Sequence, residues 1–374
     1  MDLVLDILAN AHVQAIIKIV LIILVFVMAL GTVLTLMERK WMSAVQDRIG
    51  PNRAYFPWFG NKKVTAHGAF QLAADGLKSI FKEDTSPEGA DTVIFTLAPY
   101  FAFFSAMVIW AVIPFAGPVG SVTFQITDPN IGLLLIFAVT SLGVYGAVLA
   151  GWSSNNKYAI LGATRATSQM ISYEIFLGLS LVGVFMVHGS VQVSQIVAGQ
   201  GQYWFGDVIP KWGIFTQPIA FFMFFTAMLG ELKRVPFDAP EGESEIIAGY
   251  FMEYSGMRWS GFMLAEYVGI VGVAAVTVTL FFGGYHVPWL HADGFHLFGV
   301  FLPLPWPLIT LLQIGAFCTK VVVFCWLVII LRWTIPKFRF DQIMDLGWKK
   351  MLPLALANVV ITAVWLLAWD SWMK

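Results

Sequence analysis

The chain has 374 residues and a formal net charge of −1, with 58% hydrophobic residues, 15% aromatic residues and only 12% charged residues. Soluble domains carry about twice that share of charged residues. The composition therefore argues against a compact soluble protein, a disordered chain and a nucleic-acid-binding protein, and indicates an integral membrane protein.

The chain contains eight apolar runs. A transmembrane helix needs about 20 mostly apolar residues to cross the bilayer, which offers its backbone no hydrogen-bond partners. The runs are residues 16–37, 95–113, 131–151, 168–187, 212–230, 261–282, 308–331 and 351–369. The fifth run is short unless its helix begins near Trp212. Because no connection is long enough for a soluble domain, we predict one all-α membrane domain, residues 1–374, with eight transmembrane helices.

The basic residues predict the orientation, since cytoplasmic loops collect lysine and arginine. With the amino terminus outside, most of the 22 lysines and arginines fall in the four inner connections. Only Lys211 and the carboxy-terminal lysine then lie outside, while Lys18 and Lys320 lie within spans. Both termini are therefore expected on the outer, periplasmic side.

The first inner connection contains one further predicted helix, residues 68–82, which is too polar to cross the bilayer. Its apolar and polar residues alternate with a period near 3.6, so a wide apolar stripe covers one side. The apolar side contains Phe70, Ala73, Ala74, Leu77, Ile80 and Phe81, and the other side contains Gln71, Asp75, Lys78 and Lys82. The pattern favours a helix in the membrane interface, with an ordinary surface helix as the alternative.

Four ionisable residues stand inside or at the end of predicted spans: Glu174, Glu231, Glu266 and Lys320. Inserting such a side chain at mid-membrane costs about 2.5–3.5 kcal/mol, so each is a functional candidate. A row of buried carboxyl groups is suited to passing protons. The alternative is a structural role in buried pairs, and Lys320 could simply neutralise a glutamate.

The connection after the fifth run concentrates acidic residues, adding Asp238, Glu241, Glu243 and Glu245 to Glu231 within residues 231–245. Two prolines, Pro236 and Pro240, restrict the backbone there and favour a fixed loop. Carboxylates packed so closely repel one another, so some of them are expected to take up protons. A solvated acidic loop is the alternative.

Two other inner segments look rigid and polar. In the first, Arg39, Arg48 and Arg53 surround a Gly-Pro turn, and a comparable segment covers residues 336–349. Anchoring to lipid head groups is the alternative to a functional role for these arginines.

Motifs for nucleotides, haem and metals are missing from the sequence. It contains neither a phosphate-binding loop nor a dinucleotide fingerprint. Its two cysteines, Cys318 and Cys325, lie in one apolar run and are too few for a zinc or iron–sulfur site. The histidines His286, His291 and His296 share an outer loop without the spacing of a metal motif.

Five segments resemble the H subunits of the proton-pumping NADH–quinone oxidoreductases, respiratory complex I, and their mitochondrial counterpart. They are ERKW at 38–41, RIGPNR at 48–53, QLAADGLK at 71–78, ELKRVPFDAPEGESE at 231–245 and RFDQIM at 339–344. The resemblance runs from the first span to the last. It implies a membrane subunit that walls the quinone chamber and couples quinone reduction to proton translocation.

The resemblance also implies roles for individual residues. The proton path would comprise Glu174, Glu231 and Glu266 within the membrane and Asp238, Glu241, Glu243 and Glu245 in the acidic loop. The quinone cavity and the contact with the peripheral arm would comprise Glu38, Arg39, Arg48, Arg53, Gln71, Asp75 and Arg234. A further glutamate is expected in the third span, yet residues 131–151 contain no charge. Another subunit, a file of water molecules or Tyr145 are the candidates for that step.

The same resemblance implies a quinone, either ubiquinone or menaquinone, as substrate, with no FMN, iron–sulfur cluster or haem bound by this chain. The expected partners are peripheral-arm subunits that contain iron–sulfur clusters, small membrane subunits, antiporter-like subunits and lipids. We expect a bacterial inner membrane, with the mitochondrial inner membrane as the alternative. The nearest competing function is the ion path of an energy-converting hydrogenase or formate hydrogenlyase. A secondary transporter and a purely structural anchor are less consistent with the sequence, which has no internal repeat and has carboxyl groups within its spans.

Overall fold

A computed structural model of the chain describes residues 11–55, 65–119, 122–204, 209–291, 293–297 and 300–373. Most of these residues are helical. The helices are α1 Ala11–Ile19, α2 Met28–Val45, α3 Phe70–Phe81, α4 Thr92–Val108, α5 Gly132–Ser153, α6 Lys157–His188, α7 Val193–Gln200, α8 Gly213–Thr216, α9 Pro218–Glu231, α10 Glu243–Ile246, α11 Gly256–Phe281, α12 Trp306–Thr334, α13 Phe340–Asp345 and α14 Leu352–Met373. Wider π-helical turns join α1 to α2 and α13 to α14, and short 3₁₀ turns occur at Ala66–Gly68, Ile109–Ala111 and Gly249–Phe251.

Strands are short and lie in two of the connections between helices. β1 Tyr203–Trp204 pairs with β2 Ile209–Pro210 in antiparallel fashion. A three-stranded antiparallel sheet precedes α12 and is formed by β3 Leu290–His291, β4 Gly294–Leu297 and β5 Val300–Pro303.

Seven helices of the described residues are long and apolar enough to cross a membrane. They are Gln14–Val45, Thr92–Ala111, Gly132–Ser153, Lys157–His188, Gly256–Phe281, Trp306–Thr334 and Phe340–Ala368. Each contains most or all of a predicted run, and several extend beyond it. The fourth, for example, begins at Lys157 because Asn156 caps it, accepting a hydrogen bond from the Tyr158 amide at 2.9 Å.

The fifth predicted run differs from the expectation of one helix from Trp212. It is helical from Gly213, but the backbone breaks at Gln217 (φ −138°, ψ 59°), and α9 begins at Pro218. Proline disfavours helical geometry in the residue before it and is well tolerated at the first turn of a helix, which explains the position of the break. α9 is apolar but has only 14 residues.

The predicted interfacial helix, residues 68–82, is observed as α3, Phe70–Phe81. Its apolar side chains Leu77, Ile80 and Phe81 are exposed, Phe81 to 83%. α3 also contacts α2 and α11. It therefore lies against the bundle while keeping part of its apolar stripe outward.

The core packs α4 against α5 and α11, α5 against α6, and α6 against α9 and α14. Trp110, Tyr173, Phe224 and Phe281 are fully buried there. This packing brings the ends of α2, α6, α9, α11 and α12 close to the acidic loop, and these helices supply the side chains described next.

Candidate functional site

A buried ion cluster joins three distant parts of the chain: Glu38 from α2, Arg234 from the turn after α9 and Glu266 from α11. Arg234 Nη1 lies 3.1 Å from each carboxylate oxygen of Glu38, and its Nε pairs with Glu266. The exposed fractions of the three side chains are 3% for Arg234, 8% for Glu38 and 9% for Glu266. One guanidinium thus pairs with two carboxylates that are both buried.

Further groups complete this cluster. The Tyr267 hydroxyl donates to Glu38 Oε2 at 2.9 Å, and Arg332 Nη1 lies 2.6 Å from Glu38 Oε1. The Arg234 guanidinium also stacks on the Tyr267 ring, 4.8 Å from its centroid. Burial alone would lower the pKa of Arg234, but the adjacent Glu266 and Glu38 carboxylates raise it, so the guanidinium stays charged.

Lys233 and Glu241 form a second layer beside the cluster. Lys233 Nζ donates to the Tyr250 hydroxyl at 2.8 Å and lies 4.6 Å from the centroid of the same ring. Glu241 Oε1 is enclosed and has no hydrogen-bond partner among the described residues. Burial raises the pKa of Glu241 well above its ordinary value, and the Glu266 and Asp238 carboxylates raise it further. Burial likewise lowers the pKa of Lys233, so both groups can exchange protons more readily.

A cavity of about 100 Å³ begins at this layer and extends between α4, α5, α9 and α11. Glu231, Lys233, Tyr250 and Glu266 line its charged end. Small residues in α4, α5 and α11 line the remainder together with apolar side chains. The arrangement connects the buried ion cluster to the interior of the helix bundle.

The remaining acidic candidates surround this arrangement at different depths. Glu174 is half-buried in α6, beside the Ser141 hydroxyl of α5. Asp238 faces Lys337 at 3.6 Å. Glu245 pairs with Arg165 at 2.5 Å and is 40% exposed, so it lies at the rim. The side chain of Glu243 lies outside the described part of the chain.

The predicted cavity-mouth residues fall into two groups. Arg39 pairs with Asp75, which also accepts a hydrogen bond from Gln71 Nε2 at 3.1 Å, so α2 and α3 are joined at a partly exposed surface. Arg48 and Arg53 are exposed and do not reach the buried ion cluster. Only Glu38 and Arg234 of this predicted set are buried within it.

Several residues near the site were not singled out from the sequence. Tyr267 and Tyr250 bind charged members of the site, and Arg332 reaches Glu38 from α12. Gln169 is fully buried and donates to the Gly230 carbonyl at 2.8 Å and to the Phe237 carbonyl at 2.7 Å, which fixes the turn that carries Arg234. A buried glutamine in an apolar helix was the available signal, since buried amides need partners.

Lys320 serves a different region from the glutamates. Its Nζ donates to the carbonyls of Phe282, Gly284 and His286 at 2.7–3.0 Å, and it lies 4.6 Å from the centroid of the Trp212 ring. These carbonyls lie just beyond the end of α11, where backbone acceptors have no helical donors. Among the described residues no carboxylate forms a salt bridge with Lys320, so its contacts indicate a structural role.

No group of three or more potential metal ligands occurs among the described residues. The polar groups near the cavity are instead carboxylates, cations and hydroxyls, which are suited to holding and moving protons.

The chain is similar to known proteins along most of its length. A family model described as "NADH dehydrogenase" matches residues 17–363. An H subunit of NADH-quinone oxidoreductase from Cytophaga hutchinsonii is 41% identical over 337 residues, covering 89% of this chain and 91% of the relative. The H subunit from Leptospira biflexa is 40% identical over 353 residues, covering 91% and 92%, and one from Geobacter metallireducens is 41% identical over 354 residues, covering 94% and 95%.

The chain belongs to the family of NADH-quinone oxidoreductase H subunits. This confirms the resemblance drawn from the five sequence segments. Together with the seven membrane-length apolar helices, membership of this family makes the chain a multi-pass membrane protein. The segment 231–245, which helped to carry the resemblance, contributes Arg234 to the buried ion cluster described above.

Proposed function

We propose that this chain is the membrane subunit of an NADH–quinone oxidoreductase, that it walls the quinone-binding chamber, and that it couples quinone reduction to proton translocation. The observation that carries the proposal is the buried set of charges from Glu38 and Arg234 to Glu266 and Glu231, which ends at a cavity inside the helix bundle. Charges so deep in an apolar bundle are costly, and a structural anchor does not need them.

In the proposed arrangement α9 is the fifth of eight crossings and both termini lie on the periplasmic side. The distribution of lysine and arginine supports this orientation. The acidic loop and α3 then face the cytoplasm, where peripheral-arm subunits with iron–sulfur clusters would deliver electrons. The quinone is the substrate, and its apolar tail can pass between helices while its head needs only a few polar partners. The relatives are bacterial proteins, which favours a bacterial inner membrane.

The coupling would be electrostatic. Reduction of a quinone takes two electrons and two protons, and the uptake of electrons adds negative charge next to Arg234 and Glu241. Burial has already raised the pKa of Glu241, and negative charge added nearby raises it further and so favours proton uptake. Glu266 and Glu231 then accept or release protons in response. Small membrane subunits and antiporter-like subunits would receive the signal beyond Glu174.

The proposal is tested by replacing Glu231 with glutamine in the assembled enzyme, reconstituted in liposomes. NADH-driven quinone reduction and proton uptake are measured together. We expect proton translocation to fall by about tenfold or more, because the variant removes a group that takes up and releases protons. Glu88→Gln is the matched control, since Glu88 is an exposed glutamate outside the site.

Unchanged proton translocation in Glu231→Gln and in Glu241→Gln would contradict the coupling role. If the chain instead assembled with a hydrogenase, and the complex had no quinone-dependent activity, the chain would be the ion-path subunit of an energy-converting hydrogenase. The names of the relatives, all NADH-quinone oxidoreductases, favour the quinone enzyme.

A further inference from the structure

The third span, α5, contains no acidic side chain, but two of its residues, Thr140 and Ser141, carry hydroxyl groups near the glutamates of the site. Thr140 lines the cavity that begins at Glu231 and Glu266, and Ser105 of α4 lines it as well. Thr140 donates to the Phe137 carbonyl at 3.0 Å and Ser105 donates to the Ala102 carbonyl at 2.9 Å. A hydroxyl that donates in this way still has lone pairs, so each oxygen can accept a hydrogen bond from water in the cavity.

Gly143 keeps space beside the Ser105 hydroxyl. Gly143 lines the same cavity, and a Cβ atom at this position would lie 3.0 Å from the Ser105 hydroxyl oxygen. A cavity that contains charged groups and hydroxyls holds water, whereas cavities that stay dry are lined by apolar side chains alone. The polar end of the cavity at Glu231, Lys233 and Glu266 therefore favours hydration.

Ser141, the next residue of α5 after Thr140, lies beside Glu174 of α6. The Ser141 hydroxyl donates to the Ala138 carbonyl at 3.0 Å and lies beside the Glu174 carboxyl, so it can turn between two acceptors. Thr140 and Ser141 thus place hydroxyls toward the cavity and toward Glu174 from adjacent positions. Tyr145 does not share this arrangement, because it is 57% exposed and does not line the cavity.

We infer that α5 relays protons between Glu231 and Glu174 through water in the cavity and the hydroxyls of Thr140 and Ser141, without a titratable side chain of its own. In each step a hydroxyl oxygen accepts a proton from one neighbour and releases its own proton to the next, so no net charge remains on the hydroxyl. The relay rests on the proposed function, because it needs Glu231 and Glu174 to exchange protons during turnover. Thr140 and Ser141 are therefore members of the proton path itself.

The test uses the assembled enzyme in liposomes and the double variant Thr140→Val/Ser141→Ala. Valine keeps the shape of threonine but cannot accept or donate a hydrogen bond. We expect proton translocation per NADH oxidised to fall by about tenfold, because a positioned proton-transfer group is lost. Thr140→Ser keeps the hydroxyl and should retain most of the translocation. Thr319→Val, on the exposed face of α12, is the matched control.

The outcomes separate the relay from the proposed function. Loss in the double variant with retention in Thr140→Ser supports the relay, whereas equal loss in both overturns it in favour of a packing role. Retained translocation in the double variant, together with loss in Glu231→Gln, overturns the relay but leaves the proposed function in place. Retention in both contradicts the two together. If the double variant does not assemble, the single variants Thr140→Val and Ser141→Ala give the same test, and retained translocation in both overturns the relay.

Discussion

Arg234 Nη1 contacts both carboxylate oxygens of Glu38 at 3.1 Å, although 196 residues separate them in the chain. The same guanidinium pairs with Glu266 through Nε. Two carboxylates from different helices therefore share one buried cation, and Glu38 has a second cationic partner in Arg332. Removing the charge of Arg234 alters the charge balance of the whole cluster.

Replacing Arg234 with methionine should destabilise the protein by about 3–5 kcal/mol, because it leaves Glu266 without its salt-bridge partner and Glu38 with Arg332 alone. The measurement is the amount and thermal stability of the assembled enzyme. The double variant Arg234→Met/Glu266→Gln should recover part of the loss, since one of the two charges is removed. Arg39→Met is the control: its partner Asp75 is 35% exposed, so we expect a change of about 0–1 kcal/mol. Equal effects of Arg234→Met and Arg39→Met would contradict the assignment.

Stability should depend on pH through Glu241. Burial raises the folded-state pKa of this carboxyl above its unfolded value, so the folded protein keeps the proton to a higher pH. Between the two pKa values the unfolded chain binds fewer protons, and the free energy of unfolding therefore falls as pH rises. Glutamine in place of Glu241 removes this contribution.

The measurement for Glu241 is the heat-inactivation midpoint of the assembled enzyme as the pH is raised from 4.5, the ordinary pKa of this carboxyl. We expect the midpoint of the wild type to fall more steeply toward alkaline pH than that of Glu241→Gln. Glu88→Gln, an exposed matched change, should follow the wild type. Parallel curves for the wild type and Glu241→Gln would show that this carboxyl is not buried as described.

Two glycines of α6, Gly162 and Gly178, allow a matched test of how this helix packs against the site. A Cβ at Gly162 would lie 2.6 Å from the Tyr250 backbone nitrogen, whereas a Cβ at Gly178 has no atom within 4 Å. Gly162→Ala should therefore displace Tyr250, which binds Lys233, and cost about 1–3 kcal/mol. Gly178→Ala should be neutral or stabilise the helix by up to about 1 kcal/mol. Thermal stability and quinone reduction are measured for both, and equal behaviour of the two variants would contradict the packing described.

Lys320→Met should lower stability without changing proton translocation per electron. The variant leaves three carbonyls beyond α11 without their donor, and an unpaired buried acceptor costs about 1–3 kcal/mol. Lys18→Met is the control, since Lys18 binds only the Thr123 hydroxyl at an exposed position among the described contacts. A change in the ratio of protons to electrons for Lys320→Met would instead place this lysine in the proton path.

Much of the site could be predicted from composition and local pattern, because charges in apolar helices are conspicuous. Glu231 and Glu266 were singled out for that reason, and the structure places both at one cavity. Gln169, Tyr250 and Tyr267 were missed, because a neutral polar side chain costs less to bury than a charge and leaves a weaker signal. The interruption at Gln217 was also missed, although Pro218 marks its position.

The sequence by itself determined the membrane class, the approximate positions of the spans and the family, because hydrophobic length and motifs are local properties of the chain. Only the tertiary structure decided which charges meet. Arg234 is one of several inner arginines in the sequence, and nothing local distinguishes it from Arg48, which remains exposed. Its burial between Glu38 and Glu266 follows from the packing of α2, α11 and the turn after α9. That packing depends on contacts between distant segments, which no local pattern encodes.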